Sequence, residues 1–376
     1  MVFERENILT DKKQIVIPMD RLGVKNIQND PMLTIKTINK ILDNNIKIRW
    51  LTRENKLITE NYPEGHLFQS GAFLIEGNSD TIDQMKENNI YYDITESQIG
   101  ENIKPINIAL YNGKGTAEFC IDPIVEVLNL SSFKYRLLSD NDIRDGLLDE
   151  FDVLLVPGGP DAGESYYLGL GDRGYTNIKN YIYNKGHYFG LCAGAYLALK
   201  PLSDKNKYWL GLVDATDDCE LDYWRTGTGF VRVKILDSDT PITSGLVAGQ
   251  INTIDMIYWE GPAMKVLSDK VKIIAKYSDF IASGSLNESP KWDLLDNFLA
   301  IKSIKEWYNI LTRDRFKKYL NDKAAILEAS VNNNKVVLIS PHAEFGNIGI
   351  SPRKKSQVFQ FITNTFFYLS LNKQII

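Results

Sequence analysis

A cysteine between two glycines is the residue of this sequence best suited to nucleophilic chemistry. A buried strand over Tyr188–Leu191 is expected to run through a tight turn into a helix that begins near Ala193. The Gly190-x-Cys192-x-Gly194 spacing is that of a nucleophile elbow, where the reactive side chain sits on a strained strand-to-helix corner. The free N–H groups and the dipole of the following helix favour the thiolate. The alternative is a structural cysteine packed beside a Gly/Ala-rich helix.

A histidine and a glutamate two positions apart form the second candidate pair. His342-x-Glu344 follows a predicted strand, and residues two apart in an extended segment point to the same side. The carboxylate can then orient the imidazole and hold its tautomer. A Cys–His pair oriented by an acid is a recognised nucleophilic arrangement. Of the other two histidines, His66 is expected to lie in a loop and to be structural or solvated.

Strands that alternate with helices are predicted to position these residues from Pro105 onward. The pattern indicates an α/β fold: a doubly wound, mostly parallel sheet with helices on both faces. In such sheets the site lies at the carboxyl ends of the strands. Three strand ends should meet there, which are the Gly113–Gly115 turn, the Gly158–Gly159 loop and Cys192. The N–H groups of this loop and of Ala193 could form an oxyanion hole.

The length of 376 residues suggests about two units. Strand and helix patterns predict a small α/β unit over residues 1–100, and the polar segment Thr95–Lys104 reads as a linker to a second unit over 105–376. Within that unit, the charged amphipathic stretch Pro290–Asn321 is interpreted as a helical insertion, packed on the outside or at a partner surface. A hairpin across Asn332–Asn334 then leads to His342, and a last helix over Ser356–Leu371 covers the sheet.

The composition excludes several classes of function. A formal charge of −5 argues against nucleic-acid binding, and no apolar run approaches the ~20 residues that cross a bilayer. Three widely spaced cysteines form neither a disulfide framework nor a zinc pattern, so a reducing cytoplasm is expected, with no metal and no cofactor. Cys120 and Cys219 are interpreted as inert. The acidic residues that could line the site are interpreted as solvated loop charges: Asp161, Glu164, Glu220 and Asp222.

These motifs together resemble the class I glutamine amidotransferase-like superfamily. The segments concerned are Pro157-Gly158-Gly159, Gly190-Leu191-Cys192-Ala193-Gly194-Ala195-Tyr196 and Ser340-Pro341-His342-Ala343-Glu344. Within the superfamily they are most similar to the domain found at the N-terminus of eukaryotic biotin–protein ligases and in stand-alone prokaryotic proteins. The Gly-containing loop at Gly113 and the Tyr-x-x-Gly segment at Tyr258 sit where that family has such features. The resemblance covers about residues 105–371 and implies a flavodoxin-like fold.

The resemblance implies a catalytic triad of Cys192, His342 and Glu344 in a cysteine-dependent amidohydrolase or amidotransferase. Gly158, Gly159, Ala193, Gly113 and Tyr258 are the expected oxyanion and substrate-binding residues. The substrate would be a small-molecule amide. The alternative is a non-catalytic module that keeps the pocket for a ligand or for regulation, and a glutaminase subunit working with a synthase chain is a weaker option. A protein partner and a homodimer stay open, whereas a biotin ligase domain is not expected.

Overall fold

The computed structural model describes residues 13–21, 23–24, 27–218, 226–237, 239–283, 309–346 and 356–371. Their first sheet contains the strands β1 (Gln14–Ile17), β2 (Ile48–Trp50), β5 (Phe73–Glu76), β6 (Asp93–Thr95) and β7 (Glu101–Ile103). All pairings are antiparallel, in the order β6-β1-β5-β2-β7. The helices of this part are α1 (Pro31–Asp43) and α2 (Ser79–Glu87), and a separate hairpin pairs β3 (Asn55–Leu57) with β4 (His66–Phe68).

Two local predictions for this part were wrong. The expected linker Thr95–Lys104 contains β7, which pairs with β2 at the edge of the sheet. Strand β7 has a polar composition that does not indicate a strand, because only Ile103 is buried while Glu101 and Asn102 are exposed. His66 lies in strand β4 rather than in a loop, with its ring stacked on Tyr62 at a centroid distance of 4.5 Å.

Helix α1 begins at an aspartate whose side chain satisfies two backbone donors. Asp30 Oδ1 accepts hydrogen bonds from the N–H groups of Met32 and Leu33, at 3.0 and 3.1 Å, and Pro31 occupies the first helical position. Asp30→Ala should therefore lower the free energy of unfolding by about 1 kcal/mol in urea unfolding. Asp30→Asn is the matched control, because its amide oxygen can keep the cap. Equal losses in the two variants would contradict the capping role.

The second sheet carries the candidate site and is larger. Among the described residues its strands are β8 (Asn107–Tyr111), β9 (Lys134–Leu138), β10 (Val153–Val156), β11 (His187–Leu191), β12 (Ala215–Asp217), β13 (Thr228–Ile235), β14 (Thr253–Trp259), β15 (Met264–Val266), β16 (Lys272–Ser283), β17 (Ala324–Val331) and β18 (Asn334–Ile339). Five of them, in the order β9-β8-β10-β11-β18, are parallel. Along the chain these five are ordered 2-1-3-4-5. The sheet continues from β18 through antiparallel β17, β16, β13 and β14.

Helices pack on both faces of the parallel strands. The helices that follow are α3 (Glu118–Ser131), α4 (Asp140–Arg144), α5 (Glu164–Asn184), α6 (Ala193–Ala198) and, at the C-terminal end, α7 (Phe359–Ser370). Alternate strand residues join two hydrophobic clusters, because successive side chains of a strand point to opposite faces. One cluster includes Leu155 and Phe189 with α3 and α7, and the other includes Leu154 and Tyr188 with α5 and α6.

The two sheets share the first of these clusters. Trp50 and Phe73 of the first sheet contact Phe367 of α7, with ring centroids 5.9 and 5.3 Å apart. The buried side chain of Asn39 on α1 donates to the carbonyl of Ser131 at the end of α3, at 2.8 Å. Thus the segments predicted as separate units pack through one common core.

Several predicted boundaries differ from the structure. The sequence pattern predicts a helix over Tyr175–Lys185 with Gly186 as its C-cap. In the structure this helix is α5, which begins at Glu164, is interrupted by Gly171 and has Lys185 as its C-cap. Residues 290–308 of the predicted helical insertion lie outside the described residues. Its remainder contains the helical turns Arg313–Arg315 and Phe316–Leu320. In the part of the chain that the structure describes, no helix is long and apolar enough to cross a bilayer.

Candidate functional site

Cys192 occupies a strained turn between β11 and α6. Its backbone angles are φ 50° and ψ −109°, a conformation that residues with a Cβ rarely adopt. The turn is held from both sides: the Cys192 N–H donates to the carbonyl of Ile339 on β18 at 3.0 Å, and the Cys192 carbonyl accepts from Ala195 and Tyr196. This geometry is that of a nucleophile elbow, with the thiol presented at the carboxyl end of its strand.

The two glycines of the elbow are required by close backbone contacts. A Cβ on Gly190 would lie 2.4 Å from the carbonyl oxygen of Gly194. One on Gly194 would lie 2.1 Å from the carbonyl oxygen of Val156 on the neighbouring strand. Both distances are far below van der Waals contact, so the strand, turn and helix can approach this closely only without these side chains.

His342 follows β18 and is fixed by two hydrogen bonds. Its N–H donates to the carbonyl of Ile257 on β14 at 2.9 Å, and its Nδ1 is 2.7 Å from Oε1 of Glu344. Both side chains are buried, with exposed fractions of 1% and 0%. The ring of Phe345 stacks on the imidazole with centroids 4.7 Å apart. The contact with Glu344 therefore fixes the orientation of the imidazole ring, and Phe345 covers one of its faces.

The His342–Glu344 contact arises differently from the extended arrangement that the spacing predicted. His342 is the N-cap of a short 3₁₀ turn over Ala343–Phe345, so the chain bends between the two residues. The bend brings the carboxylate back to Nδ1. Burial would lower the pKa of His342, but the nearby charges of Cys192 and Glu344 outweigh burial and hold the pKa well above its ordinary value.

The cysteine and the histidine converge beside Gly158. A Cβ placed on Gly158 would lie 3.3 Å from Cβ of Cys192 and 3.4 Å from Cε1 of His342. It would also lie 2.9 Å from Sγ of Cys120. The side chains of Cys192, His342 and Cys120 thus surround a small space, which stays open because Gly158 has no side chain. The carbonyl of Gly158 accepts a hydrogen bond from the N–H of Ala117 at 3.1 Å.

Gly159 and Ala193 line the pocket together with Cys192, and their N–H groups could supply oxyanion donors. A Cβ on Gly159 would overlap the carbonyl oxygen of Gly115, at 1.6 Å, so this loop approaches the first turn through backbone alone. Within the described residues, neither the Gly159 N–H nor the Ala193 N–H donates a hydrogen bond. Ala193 begins helix α6, where the first N–H groups have no partner in the helix.

A pocket with a cavity volume of about 140 Å³ opens over these groups. Its wall contains four of the predicted site residues, Cys192, His342, Gly159 and Ala193. The other lining residues are Phe119, Cys120, Pro160, Asp161, Ala162, Tyr196, Trp259 and Glu260. The rings of Phe119 and Trp259 stack at 4.7 Å and form an aromatic wall.

Two predicted binding residues lie elsewhere. Gly113 sits against Tyr111 and Asp140 on the far side of the first turn, where its Cβ would lie 2.4 Å from the Asp140 carboxylate. Tyr258 is fully buried, and its hydroxyl donates to the carbonyl of Gly261 at 2.7 Å. Because side chains alternate along β14, the next residue, Trp259, faces the pocket instead. Its carbonyl accepts from the Cys192 thiol at 3.4 Å.

Cys120 is a residue of the pocket wall, a place that the sequence interpretation did not assign to it. It lies in the first turn of α3, directly after the Gly113–Gly115 turn, and its exposed fraction is 1%. Burial, together with the charges of Glu344 and Cys192, raises the pKa of this thiol well above its usual range. The available signal was its place in the helix that follows the first strand end, a position that the topology directs towards the site.

The remaining side chains of interest divide into three groups. Asp161 lines the pocket, and its carboxylate accepts from the N–H groups of Gly163 and Ser165 at the start of α5. Glu164 is exposed. Cys219, Glu220 and Asp222 lie outside the described residues. In the described ranges of the chain, one group of residues of metal-binding type lies close together: Cys120, His342 and Glu344 each offer an atom, and these three atoms lie within 4.8 Å of one another.

Several solved structures match the chain at very low sequence identity and with TM-scores below 0.5. A glutamine amidotransferase from Thermotoga maritima is 10% identical, with 64% of this chain and 77% of that chain covered and a TM-score of 0.36. A second glutamine amidotransferase is 12% identical, with 70% of this chain and 98% of that chain covered and a TM-score of 0.39. A cytoplasmic protein from Salmonella typhimurium LT2 is 9% identical, with 70% of this chain and all of that chain covered and a TM-score of 0.42.

A family comparison gives a match to one segment of the chain. No curated protein matches the sequence. Residues 106–211 match the family described as "Biotin-protein ligase, N terminal". The match is shorter than the resemblance over 105–371, since it contains the Gly158–Gly159 loop and Cys192 and ends before His342. The segment that carries the strained cysteine is therefore similar to the N-terminal region of biotin–protein ligases.

Proposed function

We propose that this protein hydrolyses a small-molecule amide, or transfers its acyl group, through a triad of Cys192, His342 and Glu344. The observation that carries the proposal is the convergence of the strained Cys192 and the Glu344-bound His342 on the space beside Gly158. A nucleophile, a base and a group that orients the base are the three parts that acyl transfer requires. The pocket above them gives a substrate direct access to Cys192 and His342, which both line its wall.

The proposed reaction begins when the Cys192 sulfur attacks the amide carbonyl carbon and His342 takes the thiol proton. The tetrahedral intermediate places its negative oxygen between the N–H groups of Gly159 and Ala193. Its collapse breaks the C–N bond, and the imidazolium of His342 gives its proton to the leaving amine. Water, deprotonated by His342, then attacks the thioester on Cys192 and releases a carboxylic acid. An amine acceptor in place of water would complete a transfer.

Glu344 has a positioning role in this proposal. Its carboxylate holds Nδ1 of the imidazole, which leaves Nε2 for proton transfer to and from Cys192. It also stabilises the imidazolium formed during the attack. Its burial beside His342 keeps this interaction away from water, where the two charges would be screened.

The parallel strands support a finer description of the fold. Their 2-1-3-4-5 order is the order of flavodoxin-like doubly wound sheets. We propose this class for the part of the chain that follows residue 105. The site then lies where the rule for such sheets places it, at the carboxyl ends of the strands.

A non-catalytic binding module is the second candidate. It is favoured by one contact, the donation of the Cys192 thiol to the carbonyl of Trp259 at 3.4 Å, which gives the S–H a structural hydrogen-bond partner. The stacked Phe119–Trp259 wall would then bind a ligand without covalent chemistry. The two candidates differ in the reactivity of Cys192.

Iodoacetamide labelling of Cys192 against pH separates them. Because the pKa of His342 is raised above about 6.5, its imidazolium persists at neutral pH and is lost only as the pH rises through that higher value. Labelling near pH 6.5 should therefore be about tenfold or more faster in the wild type than in His342→Ala, with the rates converging at alkaline pH. Peptide mass spectrometry locates the label.

The matched control is His187→Ala, which removes an imidazole from the opposite end of β11. The His187 ring accepts from the Lys335 N–H at 2.9 Å and takes no part in the pocket wall. This variant should label like the wild type. Slow labelling that is the same in wild type and His342→Ala would reject the triad and favour the binding module.

A further inference from the structure

Two cysteine side chains border the same small space in the wall of the pocket. Sγ of Cys120 lies 2.9 Å, and Cβ of Cys192 lies 3.3 Å, from the position that a Cβ on Gly158 would occupy. The Cys120 sulfur therefore cannot be farther from Cβ of Cys192 than these two distances added together. A disulfide holds its two Cβ atoms about 3.5–4.5 Å apart, so movements of a few ångströms would bring the two sulfur atoms into bonding distance.

The segment that carries Cys120 can move more easily than the sheet beside it. Cys120 lies in the first turn of α3, whose N-cap, Ala117, makes no side-chain hydrogen bond. Pro123 has no N–H group, so the carbonyl of Phe119 lacks the hydrogen bond that a regular helix would give it. Helix ends fray more readily than helix centres. The space towards Cys192 is also open, because Gly158 has no side chain.

The two thiols differ in their reactivity towards an oxidant. Burial raises the pKa of the Cys120 thiol well above its usual range, so this thiol stays protonated at neutral pH. Cys192 precedes the first turn of α6 and lies near His342, whose imidazolium persists at neutral pH and favours the thiolate. Because a peroxide reacts with the thiolate, Cys192 is expected to be oxidised first. Cys120 then remains as the second thiol that can react with it.

We propose that Cys120 and Cys192 form a modification site, at which a peroxide produces a disulfide in the wall of the pocket. The Cys192 thiolate attacks one peroxide oxygen and breaks the O–O bond, which leaves a sulfenic acid on Cys192. The departing oxygen takes the proton that Cys192 gave to His342. The Cys120 sulfur then attacks the Cys192 sulfur and breaks the S–O bond, and the Cys120 proton leaves with the hydroxide as water. The two sulfur atoms are oxidised and the peroxide is reduced.

This disulfide would switch off the proposed reaction, because it occupies the sulfur that attacks the amide. It would also protect Cys192 from irreversible oxidation to the sulfinic acid, and a thiol reductant would restore the free cysteine. The effect on turnover rests on the proposed function, whereas formation of the disulfide does not. The experiment therefore follows the cysteines in the protein without substrate.

The test treats the reduced wild-type protein with hydrogen peroxide and follows its intact mass and its non-reduced peptide map. The chain should become lighter by two hydrogen atoms, and one crosslinked pair of peptides should contain Cys120 and Cys192. Cys192 should lose its labelling by iodoacetamide and regain it after dithiothreitol. Cys219→Ser is the matched control, since it removes the third cysteine of the sequence and should form the same crosslink.

Cys120→Ser should form no crosslink, and dimedone should trap its Cys192 as the sulfenic acid. Gly158→Ala keeps all three thiols but places a methyl group 2.9 Å from Sγ of Cys120, so it should slow the crosslinking. A thermal melt confirms that each variant folds, and the peptide map of the wild type decides the question if either does not. A crosslink from Cys192 to Cys219 would overturn the proposal. A wild-type Cys192 that gains oxygen, or stays reduced, without joining Cys120 would overturn it as well.

Discussion

Replacement of Cys192 by alanine should reduce the rate of amide hydrolysis by about 10⁴-fold or more, close to the uncatalysed rate in this pocket. The thiol supplies the bond-forming atom, and no other described nucleophile in the pocket wall has both the strained turn and the adjacent His342. The measurement is release of ammonia or amine from a panel of small amides. Intact mass of the wild type with its substrate should also reveal an acyl adduct on Cys192.

Cys120→Ala is the matched control for this loss. It removes a thiol from the same pocket wall but leaves the elbow and the His342–Glu344 contact in place. We expect it to form the acyl adduct as the wild type does. Turnover within tenfold of wild type in Cys192→Ala, or a wild type that forms no adduct with any amide, would contradict the nucleophilic role.

The central features of the site could be predicted because their causes are local. Gly190 lies against the backbone of Gly194, and Gly194 lies against the backbone of Val156. Any larger residue at either position would collide, so the two glycines in the sequence indicate these close contacts. The short separation of His342 and Glu344 limits where their side chains can meet. The bend between them was not predicted, because a 3₁₀ turn of three residues has no periodic pattern in the sequence.

The parts that escaped prediction depend on contacts between distant segments. Whether Tyr258 or Trp259 faces the pocket is decided by the register of β14 against β13, and a shift of one residue exchanges the two faces. Cys120 comes near Glu344 only because α3 packs beside the turn after β18, about 220 residues later in the chain. The edge strand β7 was missed because two of its three side chains face solvent.

Gly194→Ala should lower the free energy of unfolding by about 3 kcal/mol or more and slow the labelling of Cys192. Its Cβ would meet three atoms of Val156, the carbonyl oxygen at 2.1 Å, the carbonyl carbon at 2.7 Å and Cβ at 3.0 Å. Two of these atoms are backbone in the centre of the parallel sheet, where dense packing leaves no room for relaxation. Either α6 or β10 must move, and β10 leads directly to the Gly158–Gly159 loop.

The comparison with Gly249→Ala separates this collision from the general cost of replacing a glycine. Gly249 has a φ of +57° with nothing within 4 Å of its Cβ position, so alanine there adds backbone strain of about 1 kcal/mol without a collision. Urea unfolding and Cys192 labelling of both variants provide the measurement. If the two variants lost equal stability and labelled equally, close packing at Gly194 would not be what holds the elbow. A larger loss of both in Gly194→Ala would show that one backbone contact supports the fold and the position of the nucleophile together.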